Sequence, residues 1–305
     1  MPSIRQIEYL VALAETKHFR RAAEQCGVSQ PTLSAQLKTL ESRLGAQLVE
    51  RGRSGVIFTP LGEQILETGR RILLDVQEIR EMALSYGKGL GGTIRLGLPP
   101  TIGPYLLPKM LPRLHSDYPE LKLFVREEVP QTLPRSLQSG RFDILITPLP
   151  VRGEDIDSMP LFREPLFIAM ASDHPLADKP VIERADLRGQ SILTLETGHQ
   201  LHEQVESICE DIGARLRLDF EGTSLDTLRQ MVGMGGGLSF LPGLFVRSVL
   251  DQDTTVTARE IKGRPISRTI GIAWRKSSSL TAQYETLADY VRETIKREHP
   301  DFPRV

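Results

Sequence analysis

With 305 residues, the sequence is too long for one ordinary domain and long enough for two or three. Its hydrophobic fraction of 40% and charged fraction of 25% exclude a disordered or fibrous protein. The formal net charge of -1 excludes a uniformly basic nucleic-acid-binding protein, although residues 1–60 hold eight lysines and arginines against five glutamates.

The first predicted element is an amphipathic helix. Its pattern lacks the apolar core and cleavage site of a signal peptide, and no later run of about 18 apolar residues could span a bilayer. We therefore expect a cytoplasmic protein with no membrane partner. Apolar residues recur at helical spacing and predict one buried face, made of Ile4, Ile7, Leu10, Val11 and Ala14.

A second, short helix and a third helix are separated by a tight turn. Residues 19–26 favour a helix, and Gly27 is typical of the residue that follows a helix end. Ser29 fits the N-cap of the third helix, with Gln30 and Pro31 in its first turn, where the missing N–H of proline costs nothing. The predicted buried stripe of that helix consists of Leu33, Leu37, Leu40 and Leu44.

The other side of the third helix carries small polar side chains. Two helices joined by a glycine turn, the second with such a face, suit the major groove of DNA, which is about 12 Å wide. Residues 48–59 predict a strand, a glycine turn and a strand, a wing whose arginines would contact the DNA backbone. A plain three-helix cluster with a solvated face is the alternative. The predicted contacts to double-stranded DNA are Ser29, Gln30, Pro31, Thr32, Ser34, Gln36, Lys38, Arg51 and Arg53.

This region resembles the N-terminal domain of the LysR family of transcription regulators. The resemblance runs without a gap over about the first 65 residues, through residues 19–23, 28–34, 40–41, 44–45, 48 and 59–62. It implies a winged helix-turn-helix DNA-binding domain, which we place at residues 1–60. At Ala35 the chain departs from many members of the family, which have a basic residue there, so no base contact is expected from that position.

One long helix is predicted from Pro60 to about Gly87, followed by a glycine-rich hinge that ends at Gly92. An apolar seam at alternating steps of three and four would bury itself against a second copy of the helix. Such a dimer places two recognition helices on two DNA half-sites. The alternative is a helix packed on its own C-terminal domain. The seam consists of Leu61, Ile65, Thr68, Ile72, Val76, Ile79 and Ala83, so residues 61–92 are the predicted dimerisation helix and hinge.

Residues 93–147 alternate between strand and helix patterns, which predicts a parallel sheet with right-handed crossovers, and the residues that follow predict a second lobe of an α/β sensor domain. The expected fold class is α/β: a winged helix-turn-helix, a long linker helix and a two-lobed domain like that of periplasmic binding proteins. Residues 233–237 are rich in glycine, yet they favour a helix-to-strand turn over a nucleotide-binding loop, since no Gly-Lys-Ser/Thr follows. The predicted strands are 93–98, 121–129, 143–147, 161–171, 191–195, 217–220, 238–241 and 269–274, and the helices are 105–115, 133–139, 201–212, 225–232 and 284–297.

A ligand cleft is expected between the lobes, because open parallel sheets bind ligands beyond the C-terminal ends of their strands. Several of the predicted residues start helices, where free N–H groups favour an anion or a small polar molecule. Each of them alone could equally be a helix cap, and His199 a hydrogen-bonded structural histidine. The cleft is predicted to place Thr101, Pro130 and Thr147 opposite Gly198, His199, Gln200, Thr223 and Ser224.

The sensor region also resembles the peroxide-responsive branch of the LysR family. The resemblance lies in residues 100–108, 193–199, 204, 209, 223–225, 227–229 and 269–271. It implies a reactive cysteine directly after the Gly-His pair and a resolving cysteine nine residues later. Here Gln200 stands at the first position and Cys209 at the second, so a disulfide switch through residue 200 is excluded.

Three explanations of Gln200 stay open: an engineered substitution that locks the reduced form, a natural relative that senses a small ligand, and a sensor that uses Cys209 alone. Cys209 could also be a buried, inert thiol. Cys26 and Cys209 have no zinc-finger spacing, and we expect no metal and no cofactor.

The sequence therefore predicts a non-enzymatic transcription regulator, an activator linked to oxidative stress. We expect a homodimer through the linker helix that assembles into a homotetramer. The signal would be hydrogen peroxide or a small-molecule ligand, and RNA polymerase is a further candidate partner. The rival hypotheses are a thiol peroxidase that uses Cys209 and a solute-binding module, although the latter leaves residues 1–87 unexplained.

Overall fold

A computed structural model describes residues 1–52, 55–85, 90–263 and 265–303. The chain divides into two compact units, residues 1–87 with 138–141, and the remainder. Among the described helices, none is both long and apolar enough to cross a membrane.

In the first unit, three helices precede a two-stranded wing and a long helix. The wing strands pair antiparallel, with Val49 opposite Phe58. These elements confirm the helix-turn-helix and wing that the sequence predicts. Their bounds are α1 Ile4–Thr16, α2 Phe19–Gln25, α3 Gln30–Leu44, β1 Val49–Gly52, β2 Gly55–Phe58 and α4 Pro60–Ser85.

The buried face of α1 differs from the predicted one. Leu10 and Ala14 are buried as expected, but the helix also buries Tyr9 and Leu13, whereas Ile4 is 46% exposed. The prediction for Ile4 was wrong because this residue begins the helix, more than a turn before the first apolar residue that reaches the core.

The leucine stripe of α3 is confirmed over most of its length. Leu33, Leu37 and Leu40 are buried in the core of the first unit. Leu44 was predicted to join them, but it is 38% exposed. It is the last residue of the helix, and the chain turns away at Gly45, which adopts a left-handed φ of 67°.

Helix α4 packs on α1 and β2 through a face that lies beside the predicted seam. Gly62, Leu66 and Gly69 are buried there, and α4 contacts α1. Of the seam residues, Leu61 is 43% and Ile79 is 61% exposed. Thr68 is also exposed, whereas Ile65, Ile72 and Val76 are partly buried, so the chain covers only part of the seam. The predicted hinge lies mostly outside the described residues, since the description resumes at residue 90.

The second unit is a two-lobed α/β domain, as predicted. Several strands and helices match the sequence-based bounds closely, including the strand Ser191–Leu195. The elements are β3 Gly92–Leu98, α5 Gly103–Asp117, β4 Leu121–Glu127, α6 Leu133–Gln138, β5 Ile144–Pro148, β6 Ile156–Ala171, β7 Ser191–Leu195, α7 Gln200–Ile212, β8 Arg215–Gly222, α8 Leu225–Gly233, β9 Leu238–Pro242, α9 Gly243–Val249, β10 Val256–Arg259, β11 Ser267–Arg275 and α10 Thr281–Glu298.

The sheet of this unit is mixed. The parallel pairing predicted for the strands of residues 93–147 is confirmed for β3, β4 and β5, while other strands pair antiparallel. Its strand order is β4-β3-β5-β11-β6-β9-β7-β8, with β10 paired to β6. β3 runs parallel to β4 and β5, and β7 runs parallel to β8 and β9. β11 and β6 are antiparallel to each other. These two strands pass directly between the lobes, so no crossover helix forces them into the parallel direction.

Each lobe has its own hydrophobic core, and β6 contributes to both. Leu161 and Phe162, in the first half of β6, pack with α5 and α10 in the core of the first lobe, whereas residues 166–170 pack with α7 and α8 in the core of the second lobe. The glycine-rich segment 233–237 is the predicted turn between α8 and β9. Sequence patterns predicted neither α9 nor β10.

Candidate nucleic-acid interface and sensor cleft

The hydroxyl groups of Ser29 and Thr32 lie at the N-terminal end of α3, where Ser29 is the N-cap. The Oγ of Ser29 accepts a hydrogen bond from the backbone N–H of Thr32 at 3.3 Å, and it lies 2.7 Å from the Oγ1 of Thr32. Pro31 occupies the first turn, as predicted. The cap fixes where the helix begins, and Gln30 and Pro31 are exposed beside it.

The predicted DNA contacts in α3 lie outside its leucine face. Gln30, Thr32, Gln36 and Lys38 are exposed, and Ser34 is half-buried. This face is polar and carries the positive charge of Lys38. Arg53 and the side chain of Arg51 lie outside the described part of the chain, so their contacts with DNA stay predictions.

Gln36 accepts a hydrogen bond from Gln6, a residue that the sequence patterns did not single out. The Nε2 of Gln6, which is 2% exposed, donates to the Oε1 of Gln36 at 3.0 Å. Gln6 forms a capping box with Ser3 at the start of α1. The Ser-x-x-Gln spacing of that box was the available signal for Gln6.

Gln200 is the first residue of α7, at the edge of the second lobe. The residue before it, His199, is the N-cap, but its side chain makes no capping hydrogen bond. The Nδ1 of His199 is buried and finds no hydrogen-bond partner among the described residues, and its Nε2 lies 3.9 Å from the carboxylate of Glu196. Burial lowers the pKa of His199, which favours the neutral imidazole.

A cavity of about 430 Å³ lies beside Gln200, between the end of β5, the first turn of α7 and the start of β11. Amide, carboxylate, hydroxyl and guanidinium groups share its wall with a few apolar side chains. Such a lining suits a small polar molecule. The wall consists of Pro148, Leu149, Gln200, Leu201, Glu203, Gln204, Ser267, Arg268 and Thr269.

Arg268 connects this cavity to Thr101. Its Nε lies 2.7 Å from the Oε2 of Glu164, and its terminal nitrogens donate to the Oγ1 and O of Thr101 at 3.3 and 3.2 Å. The charge of Arg268 is thus balanced by Glu164, whereas Glu203, the other charged group of the cavity wall, forms no ion pair among the described residues. Sequence reasoning missed Arg268 and Glu164.

The remaining predicted sensor residues have separate surroundings. Thr147 is buried in β5, opposite Gly271 of β11. Ser224 caps α8, and its Oγ accepts from the backbone N–H of Thr227 at 3.2 Å. Thr223 is exposed. Gln200 is the member of the predicted set that lines the cavity, and contact of the others with a ligand stays a prediction.

Cys209 lies on the inner face of α7. It is 3% exposed and packs in the core of the second lobe. Burial raises the pKa of Cys209 to about 11. Because the thiolate is the nucleophile, this thiol is protonated and unreactive near neutral pH.

Two family models match the chain. Residues 4–63 match the bacterial regulatory helix-turn-helix of the lysR family, and residues 87–296 match the LysR substrate binding domain. Among curated proteins, the DNA-binding transcriptional dual regulator OxyR of Escherichia coli K12 is 43% identical over 290 residues, 95% of either chain.

Two solved structures share the fold over nearly the full length. A full-length OxyR from Pseudomonas aeruginosa with a cysteine-to-aspartate substitution has a TM-score of 0.79 at 37% identity, covering 96% of this chain and 98% of its own. A cysteine-to-serine mutant of Corynebacterium glutamicum OxyR with H2O2 bound has a TM-score of 0.67 at 30% identity, covering 98% and 96%.

Proposed function

The chain belongs to the LysR family of bacterial transcription regulators, and on that premise we propose that it is an OxyR-like regulator whose sensor receives its signal without a thiol at residue 200. The observation that carries this proposal is that Gln200, which has no thiol, lies on the wall of the cavity, while Cys209 is buried and its pKa is raised.

Operator DNA is read by the exposed face of α3, with the tip of the wing on the backbone. The polar side chains of Gln30, Thr32, Gln36 and Lys38 support this assignment, because side chains of this size and chemistry donate to base edges or phosphates in a major groove. Residues 1–60 serve as the DNA-binding domain and residues 93–305 as the sensor.

The regulator acts as a homodimer through the seam of α4 and assembles into a homotetramer. The exposure of Leu61 and Ile79 supports the dimer, because an apolar seam of this length in water favours association with a second copy. It works in the cytoplasm, without turnover chemistry, and RNA polymerase is a further partner when it activates transcription.

The signal is linked to oxidative stress. The OxyR mutant of Corynebacterium glutamicum holds H2O2 although a cysteine has been replaced by serine, which supports non-covalent peroxide binding in a domain of this fold. Gln200 offers hydrogen bonds but no thiolate, so peroxide bound beside it would not be reduced there.

A small polar ligand is the second candidate signal, and the size of the cavity favours it. A volume of about 430 Å³ is far larger than H2O2 requires and falls in the range of sites for small organic molecules. The carboxylate of Glu203 and the amides of Gln200 and Gln204 would orient such a ligand. Its binding would favour one arrangement of the lobes over another.

Footprinting on genomic DNA tests both parts of the proposal. We expect protection of paired half-sites by the unmodified protein and a free-thiol count that 1 mM peroxide leaves unchanged, whereas the Gln200→Cys variant loses free thiols and its footprint changes. Gln204→Cys, one turn further along α7 on the same cavity wall, is the matched control and should not respond. A change in the footprint of the unmodified protein that is accompanied by loss of a free thiol would overturn the thiol-free sensor, and the absence of any protected site would overturn DNA binding.

A further inference from the structure

Two hydrogen bonds in series join the start of α1 to the recognition helix α3. The backbone N–H of Ser3 donates to the Oε1 of Gln6 at 3.1 Å, and the Nε2 of Gln6 donates to the Oε1 of Gln36 at 3.0 Å. Gln6 is 2% exposed, so water cannot easily replace either partner. Gln36, at the end of this relay, is exposed.

The relay has a fixed direction, because it begins at a backbone N–H, which only donates. The oxygen of the Gln6 amide must therefore face Ser3, and its NH2 group must face Gln36. Gln36 in turn must present its oxygen to Gln6. Rotating either amide by 180° would bring two donors or two acceptors together, and in a buried position that costs about 1–3 kcal/mol.

We propose that this relay fixes the orientation of the Gln36 amide, with its oxygen toward Gln6 and its NH2 group toward the DNA, and that Gln6 is the positioning residue that sets this polarity. The inference rests on the proposed placement of α3 in the major groove. Because the oxygen of Gln36 faces Gln6, the NH2 group is the part of the amide that an acceptor of the DNA would meet.

Two kinds of DNA acceptor fit that NH2 group. One is the acceptor edge of a base, such as the O6 or N7 of guanine or the O4 of thymine, and the other is a phosphate oxygen. Both are hydrogen-bond acceptors. The NH2 group would not bind a base edge that presents only a donor at this position.

The Gln6→Glu substitution should reverse the relay. A carboxylate accepts the N–H of Ser3 with one oxygen and requires a donor at the other, so Gln36 must turn its NH2 group inward and its oxygen toward the DNA. Acceptor then meets acceptor, and we expect affinity for the operator to fall about tenfold. The added negative charge also lowers affinity, so a double-mutant cycle with Gln36→Ala separates the two effects.

In the Gln36→Ala background, Gln6→Glu should weaken operator binding less than about threefold, because only its charge acts there. Equal losses in the two backgrounds would overturn the relay. The pattern of loss identifies the acceptor. A base contact concentrates the loss at one base pair and moves the preference toward adenine N6 or cytosine N4, whereas a phosphate contact weakens all sequences alike.

The buried carboxylate of Gln6→Glu could prevent folding, and thermal unfolding would reveal this. A second variant keeps the relay testable in that case. Gln6→Met is neutral and similar in shape, and it frees the amide of Gln36 to rotate. We expect it to weaken operator binding about threefold with Gln36 present and not in the Gln36→Ala background. Identical effects in both backgrounds would again overturn the relay. Failure of the unmodified protein to bind any operator would instead refute the proposed function.

Discussion

Arg268 and Glu164 form an ion pair whose side chains are 4% and 0% exposed, with Nε and Oε2 2.7 Å apart. They lie on β11 and β6, the strands that pass between the lobes. The second oxygen of Glu164 accepts the backbone N–H of Leu244, in the first turn of α9, at 2.9 Å. Together with the contacts of Arg268 to Thr101, the pair therefore links the end of β3 to α9 across the junction of the lobes.

Removing one partner of this pair should destabilise the sensor domain strongly. Arg268→Met leaves the carboxylate of Glu164 buried and unpaired, and we expect the free energy of unfolding to fall by about 3–5 kcal/mol. Trp274 is the single tryptophan and is buried in the core of the first lobe, so its fluorescence reports the transition in urea. Arg247→Met breaks a partly exposed pair with Asp301 and should cost less than about 1 kcal/mol. Equal losses in both variants would contradict the role of burial.

Two glycines of α4 should respond very differently to alanine. A Cβ on Gly62 would lie 2.1 Å from the carbonyl oxygen of Leu48, a backbone atom, whereas on Gly69 it would lie 2.8 Å from a side-chain methyl of Ile7. Alanine favours the helix by about 1 kcal/mol at either site. We expect a net loss of about 2 kcal/mol or more for Gly62→Ala and a change within about 1 kcal/mol for Gly69→Ala, measured by circular dichroism in urea. Similar stabilities of the two variants would refute the close approach of Gly62.

The sequence predicts local elements better than the directions of strands. The cap at Ser29, the helix end at Gly27 and the strand Ser191–Leu195 follow from neighbouring residues, and the structure confirms them. The antiparallel pairing of β6 with β11 joins segments about a hundred residues apart. No periodicity within either strand encodes that direction, so the sequence patterns did not predict this pairing.

A site residue could be predicted where its place at the end of a helix or strand decides its role. It could not be predicted where its role depends on a hydrogen bond or ion pair with a residue far away in the sequence. Gln200 begins a helix at a strand end, and sequence reasoning placed it at the cleft. Arg268 and Glu164 are 104 residues apart, and Gln6 and Gln36 are 30 apart. The polar partners of such side chains are set by tertiary packing, which spacing along the chain does not reveal.

A charge on the seam of α4 should dissociate the proposed dimer. Ile79→Glu would bury a carboxylate from each copy, so we expect the dissociation constant to rise at least about a hundredfold, measured by analytical ultracentrifugation. Arg70→Glu is the control, because Arg70 is exposed and lies nine residues earlier, on the opposite side of the helix. If only the control variant dissociates the dimer, or if neither variant does, the dimer interface lies elsewhere than on the seam.

The buried thiol of Cys209 should label slowly in the folded protein. With its pKa raised to about 11 by burial, the thiolate fraction at pH 7 is about one in ten thousand, and alkylation should accelerate about tenfold per pH unit up to pH 11. Mass spectrometry after iodoacetamide treatment measures this in a Cys26→Ser background, with urea-unfolded protein as the reference. Rapid labelling of folded Cys209 at pH 7 would favour the one-cysteine sensor.

The same raised pKa makes the stability of the sensor domain fall at high pH. The folded state keeps the Cys209 thiol protonated above its ordinary pKa of 9.0, so the fold binds this proton more tightly than the unfolded chain does. The resulting stabilisation is complete below pH 9 and is lost as the pH rises toward 11. The Cys209→Ala variant lacks this group, so its urea midpoint should fall less between pH 9 and 11 than that of the unmodified protein. Parallel pH profiles would mean that the thiol does not titrate in that interval.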